Sequence, residues 1–278
     1  MKDDLNALSQ MIYSGRGVIV GRTPSGNDYV GYSLTGRSPS SQARVLVEGK
    51  NTKTIITDVT DRKQLEEGSP ALLLYPAFAQ FEGQEGKRYL IASNGAQTKL
   101  IYSAIRNSGG DINIVDAIKT AFSTPVFEYD KKDDKWIDIT TYEPDEPNNT
   151  PRVSACLLSD SKHNHSQAVL FITRAKGTEE GIERDDDAFA NVINNGQGRL
   201  LTTYAGGNES PLHPYNRHPS DIVIGSETPE DIAQAIFAAI KGGAKPEDDY
   251  QVSAAVAMCN RKTGELETKV LNRHERGE

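Results

Sequence analysis

Short apolar runs of period two, each closed by turn residues, place the tightest limit on what this chain can fold into. Residues 17–21 and 28–34 are joined by Thr23-Pro24-Ser25-Gly26, a strong turn sequence, and predict a hairpin. Residues 44–48 and 54–58 repeat the pattern. Residues 71–81 predict a longer strand interrupted by Pro76, and 88–92 a strand ending at Ser93-Asn94-Gly95. The period then changes. Leu100, Ile101 and Ile105, and beyond Gly109-Gly110 also Ile114, Val115, Ile118 and Phe122, recur at helical spacing. Two consecutive helices are expected, with Asp111 as N-cap of the second. Strand periodicity returns at 152–158, 168–174 and 199–205, while the charged stretch 178–187 reads as a surface excursion. Residues 228–240 carry a full set of helix signals: Thr228 to cap, Pro229 in the first turn, Asp231 to complete a capping box, an Ile232/Ile236/Ala239/Ile240 face and a Gly242-Gly243 stop. A last hairpin is expected from 251–258 and 266–271 around Lys262-Thr263-Gly264. Hairpins and helices come in blocks rather than in βαβ alternation. The expectation is therefore an α+β protein with two antiparallel sheets packed together and helices outside, formed by residues 1–278 as one domain, with 1–12 a short helix or loose arm.

Composition removes several function classes. Net charge is -8, which opposes general affinity for nucleic acid or an anionic membrane, so any bound phosphate needs a local group of arginines or lysines. Residues 1–10 are polar and unlike a signal peptide, and no apolar run approaches a membrane span of roughly 18 residues; the expected location is the cytoplasm. The two cysteines, Cys156 and Cys259, sit inside apolar runs and read as core residues. Gly21 and Gly26 have phosphate-loop spacing without the following Lys-Ser/Thr. His163 with His165 lacks the neighbours that would complete a metal set, and His213 and His218 read as loop residues flanking a proline-rich segment. No metal and no cofactor is expected.

The richest chemistry lies at 142–152, Tyr-Glu-Pro-Asp-Glu-Pro-Asn-Asn-Thr-Pro-Arg. It holds three carboxylates, two amides and a guanidinium, and three prolines forbid an ordinary helix. An apolar run, 153–158, follows and reads as a buried strand. A polar loop feeding a core strand suits an active site, because the strand fixes the loop.

Several of these segments together resemble the archaeal-type IMP cyclohydrolases. Tyr13-Ser14-Gly15-Arg16, then Val20-Gly21, Tyr32 and Gly36-Arg37-Ser38, is similar to that family's opening, with Gly36 where the family has Ser. Ser93-Asn94-Gly95 with Thr98 resembles its Ser-Asn-Gly-x-x-Thr. Tyr142-Glu143-Pro144-Asp145 followed by Asn149-Thr150-Pro151-Arg152 is the strongest match, and Thr203-Tyr204 a weaker echo. The resemblance implies the four-layer αββα sandwich of N-terminal-nucleophile (Ntn) hydrolases, without their terminal nucleophile. It also implies ring closure of 5-formamidoimidazole-4-carboxamide ribotide to IMP with loss of water, the last step of purine synthesis. The partner it implies is a purine ribonucleotide; it leaves a homo-oligomer open.

The implied reaction sets the roles sought. Arg37 or Arg44 would anchor the 5′-phosphate or polarise the formyl oxygen, with Ser38 beside them. Tyr75 would present its phenol to the formyl oxygen. Asn94 would bond the carboxamide, and Asn149 and Arg152 would hold the base or carboxamide. Glu143 is the expected proton carrier and Asp145 its alternative; a structural salt bridge from Arg152 to one of these carboxylates is the competing role. An amide hydrolase of the same fold, or a purine-nucleotide binder without turnover, are the alternative functions.

Overall fold

The computed structural model describes residues 2–49, 54–63, 65, 70–131, 133–163, 165–179, 181–242 and 249–274. Two large antiparallel sheets dominate it. The six-stranded sheet runs, in spatial order, β13 (Ser220–Val223), β12 (Gln197–Thr202), β1 (Arg16–Arg22), β2 (Asp28–Thr35), β14 (Gln251–Cys259) and β15 (Leu266–Asn272). The seven-stranded sheet runs β11 (Gly181–Asn191), β10 (His165–Thr178), β9 (Arg152–Asp160), β6 (Lys87–Ser93), β5 (Pro76–Glu82), β4 (Thr54–Val59) and β3 (Arg44–Glu48). A two-stranded ribbon joins β7 (Phe127–Asp130) to β8 (Lys135–Asp138). The longest helices are α1 (Gln97–Asn107), α2 (Ile114–Phe122) and α3 (Pro229–Ala239).

Strand alternation explains how these elements stack. Val18 and Val20 on β1 join Val153, Ala155 and Leu157 on β9 in one core that draws on both sheets. The intervening Ile19 points to the other side, where it meets Ile232, Ile236 and Ile240 of α3. Cys156 and Leu158 likewise leave the first core and pack with Ile101 and Ile105 of α1 and Ile118 and Phe122 of α2. The central strands are therefore buried on both faces, which is why they read as near-continuous apolar runs. Each fully buried aliphatic side chain contributes about 1.5–3 kcal/mol. Both cysteines are buried in these cores, as expected. Among the described residues no helix is long and apolar enough to cross a membrane.

The first hairpin forms as expected, with Gly26 at φ 99° closing its turn. Thr228 caps α3 by accepting from Asp231 N, and Gly242 follows the helix in the left-handed region; Gly243 lies outside the described residues. Other expectations are corrected. The strand expected at 71–81 divides at Pro76 into a helical turn, Pro70–Leu73, and β5. The cap of α2 is Asn113, whose side chain accepts from Asp116 N, while Asp111 pairs with Lys87. The strand expected at 199–205 runs from Gln197 to Thr202. The charged stretch 178–187 is not an excursion. It turns from β10 into β11, an edge strand whose Asp185 and Asp187 both meet Arg174. Charges on an edge strand deter pairing with other chains. Of the two alternatives for 1–12, the short helix forms, at Asn6–Ser9; Leu5 and Leu8 join the α3 core, and Asp3 accepts from the backbone N–H groups of Gly225 and Ser226.

The reassigned cap gives a direct test. Asn113→Ala should lower stability by about 0.5–2 kcal/mol, whereas Asp111→Ala should leave the thermal midpoint unchanged. Denaturation of the two variants side by side checks the assignment, and the reverse ranking would restore Asp111 as the cap.

Candidate active site

At one end of the two sheets the chain concentrates arginines, phenols and carboxylates. Arg16 opens β1. The left-handed Gly15 before it, φ 69°, admits no side chain, because a Cβ there would overlap Thr203 Oγ1 and the Tyr204 ring. Thr203 in turn fixes this entry: its Oγ1 accepts from Arg16 N at 3.1 Å and donates to Ser14 O at 3.2 Å. The Tyr-x-Gly-Arg and Thr-Tyr segments thus meet as one packing unit.

Arg16 is directed at the loop 142–151. Its Nη2 donates to both oxygens of the buried Glu143, at 3.0 and 2.9 Å. Arg152 Nη1 lies 3.7 Å from the same carboxylate. The loop is closed from within. Glu143 N donates to Thr150 O at 2.8 Å, and Asp145 accepts from Thr150 N at 2.6 Å and Thr150 Oγ1 at 2.5 Å. Asn149 turns the chain at φ 45°, a left-handed conformation that asparagine tolerates. Thr150 Oγ1 also meets Tyr204 OH at 2.5 Å, so loop and β1 entry share a bond.

The other half of the cluster comes from β2 and the approach to β5. Tyr32 OH and Tyr75 OH lie 2.9 Å apart, both side chains buried. Tyr75 sits where the β4–β5 register shifts, its backbone held by Thr57, whose N and Oγ1 donate to Tyr75 O and whose Oγ1 accepts from Tyr75 N. Arg44, 3% exposed, stacks its guanidinium 5.3 Å from the Tyr75 ring and donates to Leu73 O at 3.1 Å. The Nε–H groups of Arg16 and Arg44 are buried without a hydrogen-bond partner among the described residues. Of the two phenols, one O–H serves the other, which leaves a second O–H for an outside acceptor. A buried donor without a partner is costly, so such a set favours a polar guest.

The expected site residues divide into four groups. Glu143, Arg152, Tyr75 and Arg44 are buried here, with Asp145 half-buried beside them. Arg37 and Ser38 lie on the rim. The Arg37 guanidinium is 5.6 Å from the Tyr13 ring and donates to Glu209 O at 3.0 Å; Ser38 caps the helical turn Pro39–Gln42 through Ser41 N. Asn94 is wholly enclosed, with its amide committed to the chain: Nδ2 donates to Pro151 O at 2.9 Å, and Oδ1 accepts from Val153 N at 2.7 Å and Gln97 Nε2 at 3.0 Å. Asn149 stands on the loop. Sequence reasoning assigned no role to Arg16, Tyr32 or Gln97. Arg16 and Tyr32 stood within the quoted motifs; Gln97 fell at an unspecified position of the Ser93–Thr98 segment.

Burial shapes the charges. Burial of Arg16 opposes its charge, but Glu143 and the neighbouring phenols outweigh it and hold the guanidinium well above its ordinary range. Arg152 is lowered by burial, with Glu143 opposing and Arg16 adding to the shift. Burial, and then the Tyr75 phenol, hold Tyr32 well above the usual phenol range, so its proton stays on at neutral pH. Asp145 is raised by burial and by the like charge of Glu143, against the Thr150 bonds. The result is a buried, low-dielectric cluster of fixed cations and phenol donors beside a carboxyl of raised pKa, an arrangement that favours negative charge nearby. Among the described residues no group of three or more His, Cys, Asp or Glu is placed to hold a metal.

Two antiparallel sheets flanked by helices, with a buried arginine–phenol–carboxylate cluster at one end, define an α+β protein. Residues 13–136 match the family described as IMP cyclohydrolase-like protein. That span is somewhat under half of the chain and contains Arg16, Tyr32, Arg44, Tyr75 and Asn94; Glu143, Asp145 and Arg152 lie beyond it. No curated protein matches the chain.

The raised Asp145 predicts a pH dependence. Its folded pKa exceeds the unfolded value of about 3.9, so its contribution to stability is greatest below that value and is lost as pH rises through the folded one. The stability of the wild type relative to Asp145→Asn should therefore fall as pH rises across this window. Paired thermal melts over a pH series test it, and a constant difference would contradict the assignment.

Proposed function

We propose that the protein is an IMP cyclohydrolase. It closes 5-formamidoimidazole-4-carboxamide ribotide to IMP, with the whole chain acting as one Ntn-like αββα unit. The observation that carries this reading is the gathering of Arg16, Arg44, Tyr32 and Tyr75 with Glu143 and Arg152 at one end of the two sheets. Arg16, Tyr32, Glu143 and Arg152 come from segments that resemble the family, and Arg16, Arg44, Tyr32 and Tyr75 lie inside the matched span.

The substrate brings both reacting groups. Its carboxamide nitrogen attacks its own formyl carbon, forming the ring C–N bond, and the carbinolamine then loses hydroxide and a proton as water. The chain's task is to hold the formyl group in the attacking rotamer, worth roughly 7–11 kcal/mol in favourable cases. The second task is to stabilise charge on the formyl oxygen. The unspent phenol O–H of the Tyr32–Tyr75 pair and the buried guanidinium N–H groups serve that oxygen and the anionic ribotide. Arg37, on the rim, is placed to meet the 5′-phosphate, with Ser38 beside it.

The two carboxyls take different parts. Glu143, with Arg16 on both oxygens, anchors the guanidiniums. Asp145, with its raised pKa, suits the relay of a proton from the amide nitrogen to the departing hydroxyl. Asn94 holds the Pro151–Val153 entry to β9 from behind, and Asn149 shapes the loop that carries both carboxyls.

A spectrophotometric assay of IMP formation from the formamido ribotide tests the reading. Turnover by the purified protein is the expected result; IMP binding without turnover would make it a nucleotide binder. Within an active protein, Asp145→Asn should cut turnover by about 10²-fold or more while IMP affinity is kept. Glu143→Gln should chiefly destabilise the fold, by roughly 3–5 kcal/mol, because it leaves Arg16 without its counter-charge. Loss of turnover in Glu143→Gln with none in Asp145→Asn would return the relay to Glu143.

A further inference from the structure

Arg152 enters the site under unusual constraint. Its Nε donates to Thr141 O at 2.6 Å. Its Nη1 donates to Gln97 Oε1 at 3.3 Å and lies 3.7 Å from Glu143 Oε1. The guanidinium passes over the Cα of Gly95, where any Cβ would collide with Nη1. Gln97 is itself fully buried at the start of α1, and its Nε2 donates to Asn94 Oδ1 at 3.0 Å and Val153 O at 3.3 Å. These two bonds fix which end of the amide faces Arg152: the oxygen.

A carboxylate at this position would hold Arg152 as well, but would cancel its charge. Glu143 already answers Arg16. A neutral acceptor holds the Arg152 fork in place and leaves its positive charge for a guest. We propose that Gln97 is a positioning residue, which sets the Arg152 guanidinium for an anionic or carbonyl-bearing nucleotide without neutralising it. Gly95 is the complementary requirement, since it supplies the space through which the guanidinium reaches. This deepens the function proposed above and rests on it for the identity of the guest.

Two measurements test it. The first needs no ligand: the ¹⁵N side-chain NMR signal of Arg152, assigned by its loss in Arg152→Gln. In Gln97→Met, of similar size but without the acceptor, that signal should shift and its exchange with water quicken; Gly95→Ala, whose Cβ would fall against both Arg152 Nη1 and Gln97 Oε1, should move it as well. An unchanged Arg152 signal in Gln97→Met overturns the proposal. The second is a double-mutant cycle on IMP affinity. Gln97→Met should weaken IMP binding about tenfold in the wild-type background, the loss expected of one charge-assisted contact, and have almost no effect in Arg152→Gln. Equal effects in the two backgrounds mean that Gln97 does not act through Arg152, and also overturn it. Failure of the wild type to bind IMP would instead sink the proposed function, and the NMR result would still decide the positioning role. Should Gln97→Met fail to fold, Gln97→Leu carries both measurements.

Discussion

The contact between Arg16 and Glu143 is the constraint on which this end of the molecule depends. A guanidinium and a carboxylate removed from water each carry a desolvation penalty of several kcal/mol, recovered only when the partner is held in good geometry. Here the geometry is held from both sides. Gly15, Thr203 and Tyr204 fix the start of β1, while Asp145 and Thr150 close the loop that presents Glu143. The pair also ties the two sheets: Arg16 belongs to the six-stranded sheet, and the Glu143 loop feeds β9 of the seven-stranded one. A shift of either sheet would separate charges that are expensive to leave alone.

The same seam explains why the phenols and the remaining arginines converge. Tyr32 rises from β2 in one sheet, and Tyr75 precedes β5 in the other, so their bond is a second tie across the core. Thr57 absorbs the register shift that brings Tyr75 there, and Arg44 lies across its ring. Donors carried on core strands need little reorganisation when a ligand arrives, which is the condition under which they stabilise a transition state best. A net charge of -8 makes the concentration of buried guanidiniums more telling, since it works against the overall field.

Much of this was legible in the sequence, for definite reasons. Strand alternation exposed most of the core strands, because both faces of β1, β2, β9 and β14 bury apolar side chains. The capping box of α3 was readable because Thr228, Pro229 and Asp231 act locally. The misses have different causes. β11 looked like a surface excursion because its charges answer Arg174 across a strand pair. The turn Pro70–Leu73 looked like strand because short apolar runs fit both periods. Asp111 was read as the cap of α2, and the bond from Asp116 N to the Asn113 side chain puts the cap two residues further on. In the site, Glu143, Arg152, Tyr75 and Arg44 were legible as residue types, whereas the enclosure of Asn94 and the grip of Gln97 on Arg152 appear only when β6, α1 and β9 are brought together.

The most direct test of the account is the structure of the protein with IMP bound. The account predicts the purine between the two sheets at this end, with a ring or exocyclic oxygen within hydrogen-bond distance of the Tyr32–Tyr75 pair or of Arg16, Arg44 or Arg152, and the phosphate toward Arg37. IMP bound elsewhere, with the Arg16–Glu143 end untouched, would contradict it.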